Sequence, residues 1–450
     1  MNAVHRSGYI VWGLVFASLI TAALPAQPVV AESEPPRPAE TPLPNPLSLK
    51  QAIELSGTDH PDLELAKSHL QKTKARLKKR QSERGFALDL SVIGQVVDPV
   101  DPSFSSSTVD DSMAVLVLSK PIYDFGKTGN RVASAKASLE GEWARYFDAR
   151  QKRQLEIMAL FYDVLLADLR YRVDDETMAR IYVTYDKVRQ RHQLGQYSDV
   201  ELLDHESRYR EALSKRVKSQ SRRRAARARL AVGMNRPDDL ADDLTPPILD
   251  DLDHALPEYD DVVKNVLETN PIVLALRHDV VSSEKNLVAA KAYQRPELKA
   301  ELEASQFQRR MGMRNDSRAS LVMKWPIFRG GEKGARMIEA DAELRGQRAQ
   351  LRRFENNLRQ QTLELLQRIE VLQYQRKAAR TLVDFRDLEL DQSRALYEME
   401  ARATLGDAMI GVTEAQWKAA KVDYELALAW AELKALGGEL VEKTAEEKYR

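Results

Sequence analysis

The side chains that most often do chemistry in proteins are present in this chain, but not at the spacings that catalytic sites need. The seven histidines are scattered: His192 and His205 flank a predicted turn, and His60 precedes a proline. The sequence contains no HExxH zinc motif, no phosphate-binding loop that ends in lysine, and no nucleophile elbow. The absence of cysteine excludes disulfides and thiolate sites. We therefore expect no enzyme, no catalytic residue, no cofactor and no bound metal.

Two short clusters have residue types that can bind an anion. The run from Gly330 to Gly334 contains Lys333, but the matching segment Asp124–Lys127 in the first half of the chain is not glycine-rich, which favours a turn that leads into a helix. The arginine-rich run at 222–229 has a commoner explanation as the solvated outer face of a helix. Lys+Arg and Asp+Glu both total 68, so net charge gives no reason to expect a nucleic-acid partner.

The elements that would position any site come in two copies, because the two halves of the chain repeat each other. His60-Pro61 in the first half matches Asn270-Pro271 in the second, and Pro121-Ile122-Tyr123 matches Pro326-Ile327-Phe328. A repeat of this length indicates an internal duplication rather than a short solenoid unit.

Each copy shows the same predicted order: a helix with an Xaa-Pro break, a β-hairpin, then two long helices. The first repeat covers 47–234, with its hairpin at 86–119 and its long helices at 129–232. The second covers 258–440, with its hairpin at 297–325 and its long helices at 332–436. An acidic linker at 235–257 joins the repeats, and a tail at 441–450 follows them.

Alternating residues predict that each hairpin has one apolar and one polar face. Phe86, Leu88 and Leu90 alternate with small or polar residues, and Leu298 and Leu302 alternate with charged ones. Period-two alternation is typical of strands, and in a transmembrane barrel the apolar side meets lipid while the polar side lines the lumen. A half-exposed hairpin in a soluble protein is the alternative explanation.

The long helices are too polar to stand alone, and each has only a narrow apolar stripe. A helix over 332–399 would extend ~100 Å at about 1.5 Å per residue, and such a helix has to pack against others within the chain or between subunits. The first long helix breaks at Leu194–Asp199, where Gly195 supplies a flexible position and Ser198 an N-cap. The matching break in the second copy lies at 400–404.

The N-terminus has the features of an exported protein. Residues 1–31 have the pattern of a signal peptide, and 32–46 form a proline-rich arm that opposes helix. A retained membrane anchor is the alternative for the first segment. Its apolar run is only about 15 residues long, whereas a membrane-spanning helix needs roughly 20. For the arm, the alternative is a disordered tail.

The duplication, the Pro-Ile-aromatic turn after each hairpin and the glycine tip at 194–200 together resemble the TolC family of outer-membrane efflux and secretion channels. The resemblance covers about residues 47–440. It implies a mainly α fold with β: long antiparallel helices in a coiled-coil barrel, and four strands per chain in a trimeric, 12-stranded transmembrane β-barrel. Four strands cannot close a barrel alone, so oligomers are required if the hairpins meet lipid.

The resemblance also implies partner proteins, a cellular location and the residues of the contact sites. The homotrimer would sit in the outer membrane of a Gram-negative bacterium, extend into the periplasm, and work with a periplasmic adaptor protein and an inner-membrane pump. Its helix tips would contact the adaptor through Leu194, Gly195, Gln196, Glu400 and Ala401. Its gate would involve Tyr397, Arg402, Asp204 and Asp407, the last of which lies one position from the family's acidic residue. For Tyr397, Arg402 and Asp407, a solvated helix end with ordinary surface charges is the alternative explanation. The second tip departs from the family pattern, because Glu400 replaces the tip glycine.

Two functions fit these features. The first is a passive conduit for efflux or type I secretion, in which this chain does no chemistry and its partners supply energy. The second is a periplasmic coiled-coil scaffold or adaptor without a membrane barrel. The hairpins favour the channel, because a scaffold does not need two strands with opposed apolar and charged faces.

Overall fold

The computed structural model describes residues 43–57, 60–97, 109–249, 252–308, 315–399 and 405–441. The chain separates into Met1–Pro44 and Asn45–Arg450, and every element described below belongs to the second unit. The predicted signal peptide and most of the proline-rich arm lie outside the described residues.

Eight helices and six strands are found in the described residues. The first half contains α1 (Leu49–Ser56), α2 (Pro61–Ser82), β1 (Ala87–Ile93), β2 (Val96–Val97), β3 (Val109–Asp110), β4 (Met113–Tyr123), α3 (Lys127–Gln193) and α4 (Asp199–Gly233). The second half contains α5 (Tyr259–Thr269), α6 (Pro271–Lys291), β5 (Glu297–Phe307), β6 (Ser317–Lys324), α7 (Glu332–Glu398) and α8 (Leu405–Leu436).

The Xaa-Pro break in each copy ends one helix and caps the next. In the first copy, Nδ1 of His60 accepts the Asp62 backbone N–H at 3.2 Å at the start of α2. In the second, the Asn270 side chain accepts the N–H groups of Ile272 and Val273 at 3.0 and 3.1 Å at the start of α6. Proline at the first helical position costs nothing there, because that N–H has no partner within the helix.

The two hairpins form one antiparallel sheet in the order β1-β4-β5-β6. The central pair joins the two copies, since β4 belongs to the first and β5 to the second. One row of cross-strand partners runs Leu88, Leu118, Leu302, Ala319, and the neighbouring row on the other face runs Asp89, Val117, Glu303, Arg318. Strands β1 and β6 each pair on one side only within the described chain.

The observed strands differ from the predicted ones at their ends. Phe86 precedes β1 rather than starting it, and β4 continues past Ser119 to Tyr123, with a register shift at Pro121. A second, two-stranded sheet of β2 and β3 was not predicted, because two-residue strands give no periodic signal.

Long antiparallel helices make up most of the remaining fold. Helices α3 and α7 each have 67 residues. Helix α3 packs against α4, α6 and α8, and α7 packs against α6 and α8. Apolar side chains line the packed faces, with Ile157 and Phe161 fully buried on α3 and Ile369 on α7. The predicted fold class, mainly α with long antiparallel helices and a small sheet, is confirmed.

The linker between the copies lies along helices of both. Arg227 of α4 donates to the carbonyl oxygens of Ala241 and Asp242 at 3.2 and 3.1 Å. Farther along, Arg376 of α7 pairs with Asp253 at 2.6 Å. Within the described part of the chain, no helix has the length and apolarity needed to cross a membrane.

Candidate gate at the helix tips

The first tip, between α3 and α4, is closed by its own backbone. Gly195 has φ of +71°, a left-handed conformation that glycine adopts without strain. Its N–H donates to the carbonyl of His192 at 2.8 Å, and the N–H of Gln196 donates to the carbonyl of Arg191 at 3.0 Å. These two bonds form a Schellman-type C-cap, as the predicted role of Gly195 requires.

The start of α4 is fixed from the other side of the same turn. The Ser198 hydroxyl accepts the Glu201 backbone N–H at 3.3 Å, and the Glu201 carboxylate accepts the Ser198 N–H at 2.8 Å, which completes a capping box. The bond from the Ser198 backbone N–H is the main reason that the pKa of Glu201 is lowered. His192 and Asp199 also meet across the turn, with Nε2 2.7 Å from the carboxylate.

The surface of the first tip is apolar and exposed. Leu194 and Val200 expose 73% and 77% of their surface, and Leu203 is also exposed. Gly195 and Gln196 lie on the same turn and are exposed as well. The sequence placed the tip at 194–200 and its adaptor contact at the first three of these residues. Leu203 was not predicted, although an apolar side chain in the first turns of an otherwise polar helix is a usable signal.

The second tip is described up to its last helical turn. Helix α7 ends at Glu398, and Tyr397 and Met399 are exposed there. Glu400, Ala401 and Arg402, which we expect to contribute to the tip and the gate, lie outside the described residues. The chain is described again from Leu405, where α8 begins.

An ion pair joins the start of α8 to the first copy. Asp407, a predicted gate residue, lies in the first turn of α8, and Nη2 of Arg180 on α3 is 3.2 Å from its carboxylate. The neighbouring Gly406 leaves room for the Arg180 side chain, since a Cβ there would lie 2.8 Å from Cδ of Arg180. Arg180 could not be predicted from sequence, because 227 residues separate it from its partner and neither residue has a local motif.

Asp204, another predicted gate residue, has a different environment. It lies on α4 and pairs with Arg208 at 2.9 Å, one turn along the same helix. Exposed pairs of this kind contribute only about 0.3–0.5 kcal/mol. The structure thus gives Asp407 a partner on another helix and gives Asp204 a local one.

The contact of α3 with α8 continues away from the tips as a seam of paired side chains. We call these residues the α3–α8 seam: Arg180 with Asp407, Glu176 with Thr413, Arg170 with Trp417, and Tyr162 with Tyr424.

The far end of the seam is its most buried part. The rings of Tyr162 and Tyr424 stack with centroids 4.8 Å apart and planes 7° apart. Burial raises the pKa of Tyr162 to about 12 and also raises the pKa of Tyr424. The seam therefore changes from an exposed ion pair at the tip to a buried aromatic stack in the core.

The sheet has the two unlike faces that the sequence predicts. Leu88, Leu90 and Leu302 are exposed on one face, where Leu298 is half-exposed, and Phe86 extends the row beyond the end of β1. These five residues are the predicted lipid-facing set. On the other face, Arg318 and Glu303 form an ion pair at 2.5 Å.

Among the residues that the structure describes, no group of three or more His, Asp and Glu side chains is placed to hold a metal ion.

Comparison with known proteins gives a consistent result. The sequence matches the family described as outer membrane efflux protein over residues 53–236 and 262–439, most of the chain. No curated protein matches it.

Several solved structures share the fold at low sequence identity. The CmeC outer membrane channel of Campylobacter jejuni is 16% identical, with a TM-score of 0.74 over 89% of this chain and 88% of that one. The open state of the MtrE outer membrane channel of Neisseria gonorrhoeae is 18% identical, with a TM-score of 0.69 over 87% of this chain and 89% of that one. The outer membrane protein VceC of Vibrio cholerae is 16% identical, with a TM-score of 0.69 over 87% and 97%.

Proposed function

Since the chain belongs to the outer membrane efflux protein family, we propose that it forms a homotrimeric conduit through the outer membrane of a Gram-negative bacterium. The conduit passes substrates for efflux or type I secretion. Energy comes from an inner-membrane pump, to which a periplasmic adaptor protein connects the helix tips. The channel fold of CmeC and MtrE, which this chain shares, supports the proposal.

The observation that carries this proposal is the sheet with two unpaired edges and one exposed apolar face. Unpaired backbone groups cannot face lipid, because no water is available to bond to them. Among the residues that the structure describes, β1 and β6 lack a second neighbour. Pairing β6 of one subunit with β1 of the next would close three four-stranded sheets into one barrel of twelve strands. The row that contains Leu88, Leu118 and Leu302 would then face lipid, and the row that contains Asp89 and Glu303 would face the lumen.

The absence of native cysteine makes this arrangement testable by crosslinking. One cysteine is placed on each edge strand, at Ser91 of β1 and at successive positions 317–322 of β6, and oxidised outer membranes are run on a denaturing gel. We expect disulfide-linked trimers for at least one β6 position. A matched control places the first cysteine at Ser119 of the central strand β4 and should give monomers. Monomers throughout, in a protein that does not fractionate with outer membranes, would favour the scaffold function instead.

The contacts of the α3–α8 seam support the proposal that the second tip is the part of the gate that moves. The first tip is closed by bonds within its own turn, so it moves as a rigid unit. The start of α8 has an exposed contact with α3 through Arg180 and Asp407, and this contact can break without exposing a core. We propose that the pair holds α8 against α3 in the narrow state and that its loss lets α7 and α8 swing outward. Tyr397 and Arg402 remain predicted contributors to the same gate.

The exposed apolar residues of the first tip support it as the docking point for the adaptor. Leu194 and Val200 project from a turn that the capping bonds make rigid, which lowers the entropy lost on binding. Leu194→Asp should abolish complementation of a channel-deleted host while leaving the amount of trimer in the outer membrane unchanged. Leu203→Asp, one turn farther from the tip, is the matched control and should retain more activity. Full efflux with Leu194→Asp would exclude this docking point.

A further inference from the structure

A cavity of about 570 Å³ opens where α3 passes the break between α5 and α6 and the C-terminal end of α8. Trp143 and Phe147 of α3 line it, together with Pro271 and Leu274 from the start of α6. Sites for small molecules commonly have about 300–1,000 Å³ and a mostly apolar lining with a few polar groups. The cavity has this size and this lining, and none of its residues belongs to the tips or the sheet.

Three carboxylates surround this apolar lining, one from each wall. Glu140 comes from α3, Glu268 from the last turn of α5, and Glu439 from the turn after α8. Among the described residues, no ion pair involves any of the three, although most charged groups on α3 and α8 are paired. Three carboxylates without an ion-pair partner among the described residues, placed around one cavity, favour a cationic ligand.

The ends of two helices add to the negative potential. Helix α5 ends at Thr269 and α8 at Leu436, and the last carbonyl groups of a helix act as roughly half a negative charge. The ends are held together, since Nδ2 of Asn270 donates to the Leu436 carbonyl at 3.0 Å. Gly438 lies so near that a Cβ there would be 3.2 Å from the Thr269 carbonyl oxygen. The N-terminus of α6 would contribute positive potential, but its Ile272 and Val273 N–H groups already donate to the Asn270 side chain.

We propose that this cavity binds a lipophilic organic cation, with its apolar body against Trp143 and Phe147 and its positive centre between the three carboxylates. Aromatic rings favour such cations further through cation–π attraction. A metal ion would leave the apolar lining unfilled, and a neutral apolar molecule would gain nothing from the carboxylates. The site is separate from the proposed gate, so its binding can be measured whether or not the chain conducts.

Two ions of the same size and opposite charge test this assignment. Purified full-length protein in detergent is titrated with tetraphenylphosphonium and, separately, with tetraphenylborate by isothermal titration calorimetry. We expect saturable binding of the phosphonium cation, weakened by added salt, and no saturable binding of the borate anion. Equal binding of the two ions would show detergent or nonspecific apolar partition and would overturn the proposal.

Variants then locate the site. The triple variant should bind the cation at least about tenfold more weakly, because each substitution removes a charge and preserves the shape of the side chain. Its changes are Glu140→Gln, Glu268→Gln and Glu439→Gln. A control with three exposed carboxylates elsewhere, Glu54→Gln, Glu64→Gln and Glu370→Gln, removes the same total charge and should bind like the original protein. If the first triple variant does not fold, as judged by circular dichroism, the single variant Glu439→Gln is used and should weaken binding alone. Unchanged affinity in the cavity variant, or equal loss in the control, would contradict the assignment.

Discussion

The two long hairpins, α3–α4 and α7–α8, come from one duplicated unit but are held in place in different ways. In the first hairpin, the turn contains a Schellman-type cap at Gly195 and a capping box at Ser198, so its geometry is fixed by bonds within about ten residues. In the second hairpin, the start of α8 contacts α3 of the other copy through Arg180 and Asp407. The first tip is thus fixed locally, whereas the described start of α8 is tied to a remote helix.

This difference indicates which half can move at low cost. An exposed ion pair contributes about 0.2–1 kcal/mol, so losing Arg180–Asp407 barely affects folding. A trimer contains three such pairs. If all three act on one concerted opening, their loss changes the free-energy difference between narrow and wide states by roughly 0.6–3 kcal/mol, or about threefold to 150-fold in the ratio of the two states. A contact that matters little for folding can therefore dominate gating.

The strongest test of the cross-copy seam is removal of its buried end. Tyr424→Ala removes a ring that stacks on Tyr162 in the core, and we expect the free energy of unfolding to fall by roughly 3–5 kcal/mol. Urea denaturation followed by circular dichroism measures this loss. Tyr374→Ala, on the exposed face of α7, is the control and should cost less than about 1 kcal/mol. A small loss at Tyr424 would mean that the hairpins do not depend on each other.

In the sheet, in contrast to the tips, equivalent substitutions in the two copies should have equal effects on membrane insertion. Leu302 of β5 and Leu118 of β4 are cross-strand partners on the apolar face, one from each copy. Leu302→Arg and Leu118→Arg should each cost roughly 2–4 kcal/mol near the middle of the bilayer and reduce the trimer recovered from outer membranes. Glu301→Arg, on the opposite face of β5, should insert normally. Normal insertion of the two leucine variants would show that this face does not meet lipid.

The buried tyrosine also predicts a pH dependence for the seam. The pKa of Tyr162 is about 12 in the folded chain, above its ordinary value near 10, so the unfolded chain loses this proton first as pH rises. The contribution to stability is complete below about pH 10 and is lost between about pH 10 and 12, at roughly 2–3 kcal/mol. Denaturation curves at pH 9, 10 and 11 measure the decline. Tyr162→Phe should decline less steeply; an identical slope would show that Tyr162 is not responsible.

Two glycine-to-alanine substitutions should affect stability in opposite directions at the first tip and inside a long helix. Gly195→Ala places a side chain at φ of +71°, and we expect a loss of roughly 1–2 kcal/mol by thermal denaturation. Gly346→Ala, inside α7 where a Cβ meets nothing within 4 Å, should instead stabilise by about 0.5–1 kcal/mol. Stabilisation by Gly195→Ala would contradict the observed turn.

Much of the fold could be predicted from sequence because its signals are local. The Xaa-Pro breaks, the glycine turn and the N-cap at Ser198 involve bonds between residues a few positions apart, and α3 begins at Lys127, close to the predicted 129. Alternation along β1 and β5 predicted the two faces of the sheet. The central pairing of β4 with β5 could not be read from sequence, because register between the copies depends on contacts that no short motif encodes.

The candidate gate also depends on contacts between remote residues that sequence does not predict. Asp407 was predicted from a family resemblance, but its partner Arg180 was missed, since a pair of exposed charges on remote helices has no pattern. Asp204 was predicted on equal grounds and has a local partner, Arg208. The arginine run near 222–229 has an explanation that sequence did not supply: Arg223 and Arg227 both bind Asp168 of α3, so they join α4 to α3.

Single-channel conductance in planar bilayers tests most directly whether Arg180 and Asp407 restrain the second hairpin. The variants are Arg180→Ser, Asp407→Asn, the double variant and a control, Arg189→Ser, whose arginine pairs with Asp186 on its own helix. We predict that each single gate variant conducts more than the original channel, that the double variant conducts no more than either single one, and that Arg189→Ser is unchanged. Unchanged conductance in Arg180→Ser and Asp407→Asn, with trimers of normal stability, would contradict the gate.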